Sequence, residues 1–289
     1  MKKNLTIISI IVFTFLAINS IAKAGIKVVT SIKPIHSLAS YVMDGVGKPD
    51  IIVDGYNSPH NFSLKPSHAK MIEKANLIIW VGEDLETFLE KPLKTISKDA
   101  VNVEIMDLKG INKLKFREKN IFEGHDDHGH GHKEKKHDDH GHEEHAHGEH
   151  DPHVWLDPMN AKVIVEEIEN QLVKLDPDNA LKYKANSKKA QSELDNLTKN
   201  IKKDLKKDLR FVVFHDAYQY FENRFGIKVL GALTVNPDIL PGAEQLSEIR
   251  EVIDHEKVNC LFSEPQFNPA IIKSIAKDTK IKTGVLDPL

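Results

Sequence analysis

The sequence predicts an α/β protein of two lobes, each a mainly parallel sheet flanked by helices, with one long rigid helix joining them. Three observations lead there. Short runs rich in β-branched residues alternate with helix-like stretches, the pattern of parallel strands covered on both faces. These runs fall into two sets of four, and a chain of 289 residues suits two lobes of ordinary size. Between the sets lies a stretch without Gly, and without Pro after Pro177, long enough for an extended helix.

The chain begins with Lys2 and Lys3, an apolar run from Leu5 to Ala17, and small residues at Ala22 and Ala24. That order reads as a secretory signal peptide over 1–24, cleaved near Ala24. The apolar run is too short to span a bilayer, which takes roughly 20 residues. No cysteine stands near the cleavage site, so a lipid anchor is excluded and the expected compartment is a bacterial periplasm. The single cysteine, Cys260, has no partner for an internal disulfide and reads as a strand residue in "VNCLF".

The N-terminal lobe is expected over 25–175. Its strand-like runs are "IKVVTSI" (26–32), "DIIVDG" (50–55), "LIIWVG" (77–82) and "VNVEIMD" (101–107), with helical spacing in "SLASYVMDGV" and "PSHAKMIEKA". The linking helix is expected over 176–208, with Asp176 as N-cap, Pro177 in the first turn, and a core stripe at Ala190, Leu194, Leu197, Ile201 and Leu205. The C-terminal lobe follows over 209–289. Its runs are "FVVFHD" (211–216), "IKVLGAL" (227–233), "VNCLFSE" (258–264) and "IKTGVLD" (281–287), with Leu246, Ile249 and Ile253 at core-face intervals of a helix.

Composition excludes one class of partner. Hydrophobic residues make up 40% and charged residues 29%, with a formal net charge of -3, so no generally basic surface exists for nucleic acid. From 123 to 150 the sequence is almost wholly His, Asp, Glu, Lys and Gly, with ten of the 16 histidines between 125 and 150. Such a segment buries too little apolar area to offset its ordering entropy and reads as a disordered loop. Its imidazoles and carboxylates offer weak, pH-sensitive metal capture.

Four other residues stand at strand ends or in turns: His60 after "DIIVDG", His153 in "DPHVWLDP", His215 ending "FVVFHD" and Asp287 ending "IKTGVLD". Ligands of open α/β sheets bind outside the carboxyl ends of strands, so one ion can sit at the lobe interface with two ligands from each side. Three imidazoles and a carboxylate suit zinc, copper or nickel better than manganese or magnesium, and zinc comes first by availability. Asp151, Asp157 and Asp216 lie close in sequence to His153 and His215 and are candidates to accept the second ring N–H. His36, His68 and His255 fall in helical stretches and read as surface or packing residues.

"SPHNFSLKPSHAKMIEKANLIIWVGEDLETFL", "DPHVWLDPMNA", "FHDAYQYFENRFGI", "LFSEPQFNP" and "VLDPL" resemble, in order, the motifs of the zinc-uptake periplasmic binding proteins of bacterial ABC importers. The resemblance spans essentially all of the mature chain. It implies two α/β lobes joined by a long helix, with one tight Zn2+ site between them and weaker zinc in the histidine run. By the same resemblance His60, His153 and His215 match the zinc-binding histidines, and Asp287 matches an aspartate that is a ligand in some members. Manganese and iron members carry glutamate at the position of His215, and a His-rich acidic insertion is typical of zinc members. Several zinc members have glutamate directly before the first ligand; this chain has Pro59, leaving Asp287 or water as fourth ligand. Relatives continue through a further helix, which holds the partner of a cysteine placed like Cys260, so the second lobe is expected to lack its last helix. The implied partners are a membrane permease and, through it, an ATPase, with the chain acting as a monomer.

Two other readings remain. A zinc buffer or adhesin without a transporter would use the same site. A zinc hydrolase would need an open position and a general base, yet no H-E-x-x-H occurs and no glutamate stands beside a ligand histidine.

Overall fold

The computed structural model describes residues 25–122, 149–206, 208–237 and 239–289; the expected signal peptide and positions 123–148 of the histidine run lie outside them. Two four-stranded, all-parallel sheets form the frame. In the first lobe β1 (Val28–Ile32), β2 (Asp50–Val53), β3 (Leu77–Trp80) and β4 (Val101–Glu104) lie in the order β2-β1-β3-β4. In the second, β5 (Phe211–His215), β6 (Val229–Thr234), β7 (Cys260–Ser263) and β8 (Lys282–Val285) lie in the order β6-β5-β7-β8. Seven strands fall inside the runs read from the sequence, and β6 passes the end of its run by one residue, Thr234. The two orders are the same.

Burial explains why the central strands read as continuous apolar runs. β1, β3 and β5 are buried at every position, as expected where helices cover both faces. The connecting helices are α1 (Lys33–Val42), α2 (Pro66–Lys74) and α3 (Thr87–Thr95) in the first lobe. α1 and α2 each carry Pro in the first turn, where its missing N–H costs nothing. The second lobe uses α6 (Gln219–Phe225), α7 (Ala243–His255) and α8 (Ala270–Thr279). α7 and α8 cover one sheet face through Ile249, Val252, Ile253, Ile272 and Ile275. On the other face Phe211, Val213, Ala217 and Val229 form a separate cluster. Beside it, a cavity of ≈ 400 Å³ is lined by Leu205, Phe221, Cys260 and Phe262.

The join between the lobes is more elaborate than one helix. α4 (Pro158–Leu175) precedes a 3-10 turn at Pro177–Asn179, and α5 (Ala180–Asp204) then runs back alongside α4 and packs on α1. Asp176 does not cap a backbone N–H; its carboxylate accepts from Asn179 Nδ2 (2.8 Å) and the Tyr183 hydroxyl (2.7 Å). The buried stripe of α5 is Tyr183, Ser187 and Ala190, continued by the partly buried Leu194, whereas Leu197 is 47% exposed. Leu205, just past the helix, belongs to the second lobe's cluster. The helix therefore lies on the first lobe for most of its length and reaches the second only at its end.

A second connection is a strap formed by residues 114–122. Ile121 bridges Gly231 in antiparallel sense, Ala232 N–H donates to Asn120 O (2.9 Å), and Phe122 N–H donates to Leu230 O (3.1 Å). The strap thus adds to the free edge of β6. Gly231 permits this approach, because a Cβ there would stand 2.8 Å from Asn120 O. At the strap's other end Lys115 bridges His150, and Asp151 N–H donates to Leu114 O (2.9 Å).

Candidate metal centre

His60, His153 and His215 come together, with one ligand nitrogen from each ring within 4.8 Å of the others. His60 lies in the irregular connection after β2, where Gly55 takes φ +64 to turn the chain. His153 precedes a 3-10 turn (Val154–Leu156) leading into α4, and His215 is the last residue of β5. The rings form a near-equilateral triangle, with centroids 5.5 Å (His60–His153), 5.5 Å (His60–His215) and 5.2 Å (His153–His215) apart. His153 and His215 are each 3% exposed, while His60 is half-buried.

Carboxylates fix the two buried rings. Asp151 Oδ1 stands 2.7 Å from His153 Nδ1 and also accepts the His153 backbone N–H at 3.0 Å. Glu264 Oε2 stands 2.7 Å from His215 Nδ1. A neutral ring that donates Nδ1–H to its carboxylate presents a bare Nε2, the form that binds metal. Those two Nε2 atoms face each other at 3.3 Å. Two nitrogens bound tetrahedrally to one zinc at 2.0–2.1 Å would be separated by about 3.3 Å. The spacing is that of one edge of a coordination tetrahedron.

The electrostatics suit a cation. Burial, with the nearby His215, holds the His153 pKa well below its ordinary value and keeps the ring neutral. Burial is the largest single influence on His215 and works to lower it, but the Glu264 charge and hydrogen bond, together with the Asp216 and Asp151 charges, leave that pKa raised. Desolvation pushes Asp151 and Asp216 up to about 7. One guanidinium answers this concentration of carboxylates. Arg117, on the strap, reaches Asp216 (3.0 Å) and grips Glu222 through both terminal nitrogens (3.0 Å each), with the Phe122 ring 4.0 Å from its face.

Of the aspartates expected to orient the ligands, only Asp151 does so. Asp216 pairs with Arg117. Asp157 caps α4 by accepting Met159 N–H (2.9 Å) and also holds Arg224 through two bonds of 2.6 Å. The residue behind His215 is Glu264, 49 positions away, which the sequence reading did not single out. Only the strand order could have revealed it: β7 adjoins β5, so the residue after β7 lies beside the end of β5.

Asp287 stands outside the group of three. Its Oδ1 accepts from Gln266 Nε2 (2.7 Å) and Leu289 N–H (3.1 Å), while Oδ2 faces Lys33 Nζ at 3.8 Å. The histidines dismissed as ligands are engaged or exposed: His36 Nε2 lies 3.1 Å from Pro49 O, His68 Nδ1 accepts Lys65 N–H (3.1 Å), and His255 is exposed at the end of α7. The void between the three histidine rings is small, ≈ 10 Å³, about one water-sized sphere. Trp155, Glu264, Phe267, Pro288 and Leu289 are among the other residues of its wall.

Comparison with known proteins gives the family and the fold. A family described as zinc-uptake complex component A, periplasmic, matches residues 28–289. The chain belongs to this family. A high-affinity zinc uptake system protein ZnuA from Brucella abortus (strain 2308) is 48% identical over 288 residues, covering 94% of this chain and 86% of the relative. Its counterpart from Yersinia pestis is 37% identical over 271 residues, covering 92% and 84%. A solved structure of a ZnuA superposes with a TM-score of 0.75 at 22% identity, covering 92% of both chains, and so shares the fold. Among the described residues no helix is long and apolar enough to cross a membrane.

Proposed function

We propose that His60, His153 and His215 hold Zn2+ between the lobes, with His153 and His215 binding through Nε2. The protein is the periplasmic zinc-binding component of a zinc ABC uptake system, as its family membership indicates. The observation that carries the residue assignment is the 3.3 Å separation of the two buried Nε2 atoms, each backed by a carboxylate 2.7 Å from the opposite ring nitrogen. Asp287 is engaged by Gln266, Leu289 and Lys33, which leaves the fourth position to water. The ion passes to a membrane permease coupled to an ATPase, and the chain acts as a monomer after removal of its signal peptide.

Capture rather than hydrolysis is supported by how the nearest carboxylates are used. Asp151 and Glu264 each hold a ligand ring, so neither is placed as a free general base. Relatives at 48% and 37% identity named for zinc uptake favour delivery over an adhesin role. The test is a chelator-competition titration of zinc, with manganese as challenger. One tight zinc is expected, sharply weakened by His60→Ala, His153→Ala or His215→Ala and untouched by His36→Ala. Equal affinities across the four variants would refute the assignment.

A further inference from the structure

After β8 the chain turns across the site toward the first lobe. Leu286 N–H still pairs with Ser263 O (3.0 Å), but Asp287 Oδ1 then accepts Leu289 N–H and closes a tight turn. Pro288 and Leu289 line the void with the three histidines. Leu289 packs against the first lobe's core, and Pro288 is buried. The deepest tie is made by Trp155, whose Nε1–H donates to Pro288 O at 2.7 Å in a buried setting. Its ring also packs on His153, centroids 5.3 Å apart. Two outer contacts hold the same turn, Gln266 from the second lobe and Lys33 from the first.

We propose that residues 287–289 form a roof over the zinc site and that Trp155, by fastening Pro288, is the positioning residue that sets how fast zinc enters and leaves. The proposal rests on the reading of the three histidines as the zinc site. Trp155 offers no lone pair to the ion, since the indole nitrogen is a donor only. Its action is on the roof. A roof that must lift for passage in either direction raises the barrier to entry and exit alike, so it controls both rates and leaves the equilibrium constant where the ligands put it. A residue that shaped the ligand set itself would shift the equilibrium.

The experiment is stopped-flow zinc uptake and release against a fluorescent chelator, on the full chain and on Trp155→Phe, which keeps an aromatic ring beside His153 and removes the N–H. Melting temperature and the visible spectrum of the Co2+-loaded protein are recorded beside it. Uptake and release should both accelerate about tenfold, the ratio corresponding to one buried hydrogen bond, with Kd within about twofold of the parent and the Co2+ bands unchanged. Rates within about twofold of the parent would overturn the proposal. So would a raised Kd carried by release alone, which would make Trp155 a support of the ligands instead. Should Trp155→Phe fail to fold, Gln266→Ala loosens the same turn from its exposed side and decides the matter by the same criteria. A parent chain with no tight zinc would sink the site assignment itself, an outcome distinct from any of these.

Discussion

Glu264→Gln is the sharpest probe of the site. The parent carboxylate accepts from His215 Nδ1 at 2.7 Å with 3% of Glu264 exposed, so no solvent replaces a lost partner. Glutamine keeps the size and one carbonyl oxygen, but its amide can also turn and donate to Nδ1. That would move the ring proton to Nε2, the atom that faces His153. Removal of the negative charge also makes His215 a poorer donor to a dication. Substitutions behind a ligand of this kind cost 10- to 100-fold in metal affinity, about 1.4–2.7 kcal/mol. The assay is zinc competition against a chelator of known affinity at neutral pH, with thermal melts as a check on folding. Affinity within about twofold of the parent would refute the argument that the carboxylate fixes the His215 tautomer.

Two further outcomes test the frame around the site. Arg117→Met should destabilise the protein by about 3–5 kcal/mol in denaturant titrations, because Asp216 and Glu222 would be left buried without their cation. Glu86 is fully buried and accepts from Val81 N–H (2.7 Å) and Gly82 N–H (3.2 Å), yet desolvation raises its pKa from 4.5 to about 7. Between those values the folded chain keeps a proton that the unfolded chain releases, so stability falls as pH rises through that window. Glu86→Gln removes this loss and should gain up to about 3 kcal/mol over the parent at about pH 8 relative to about pH 4, read from melting curves at the two pH values.

The central strands were legible because strands buried on both faces leave unbroken β-branched runs, and the turn or strand-end placement of His60, His153 and His215 pointed to one interface. α4 is not among the helices read from the sequence, although Asp157 as N-cap and Pro158 in the first turn announce its start; the reading took that stretch for His153 and its neighbouring aspartates. The stripe expected along α5 drifted for a physical reason. Beyond Leu194 the helix has little of either lobe beside it until Leu205, so Leu197 follows the apolar spacing and still faces solvent. Glu264 and the Arg117 contacts were hidden because they depend on which strands adjoin and on a strap crossing between lobes, neither of which local spacing encodes.

The strap also bears on the order in which the molecule assembles. The sheet edge that Asn120 to Phe122 complete belongs to β6, which lies far downstream and emerges from the ribosome long after the first lobe can collapse. Until then these residues have no strand to join. A second lobe produced separately would in turn expose the row of backbone N–H and C=O groups on β6 that the strap now occupies, an open edge able to recruit another copy. The lobes are thus divisible on a map of their cores but not as folding units, and each withholds from the other a piece of finished sheet.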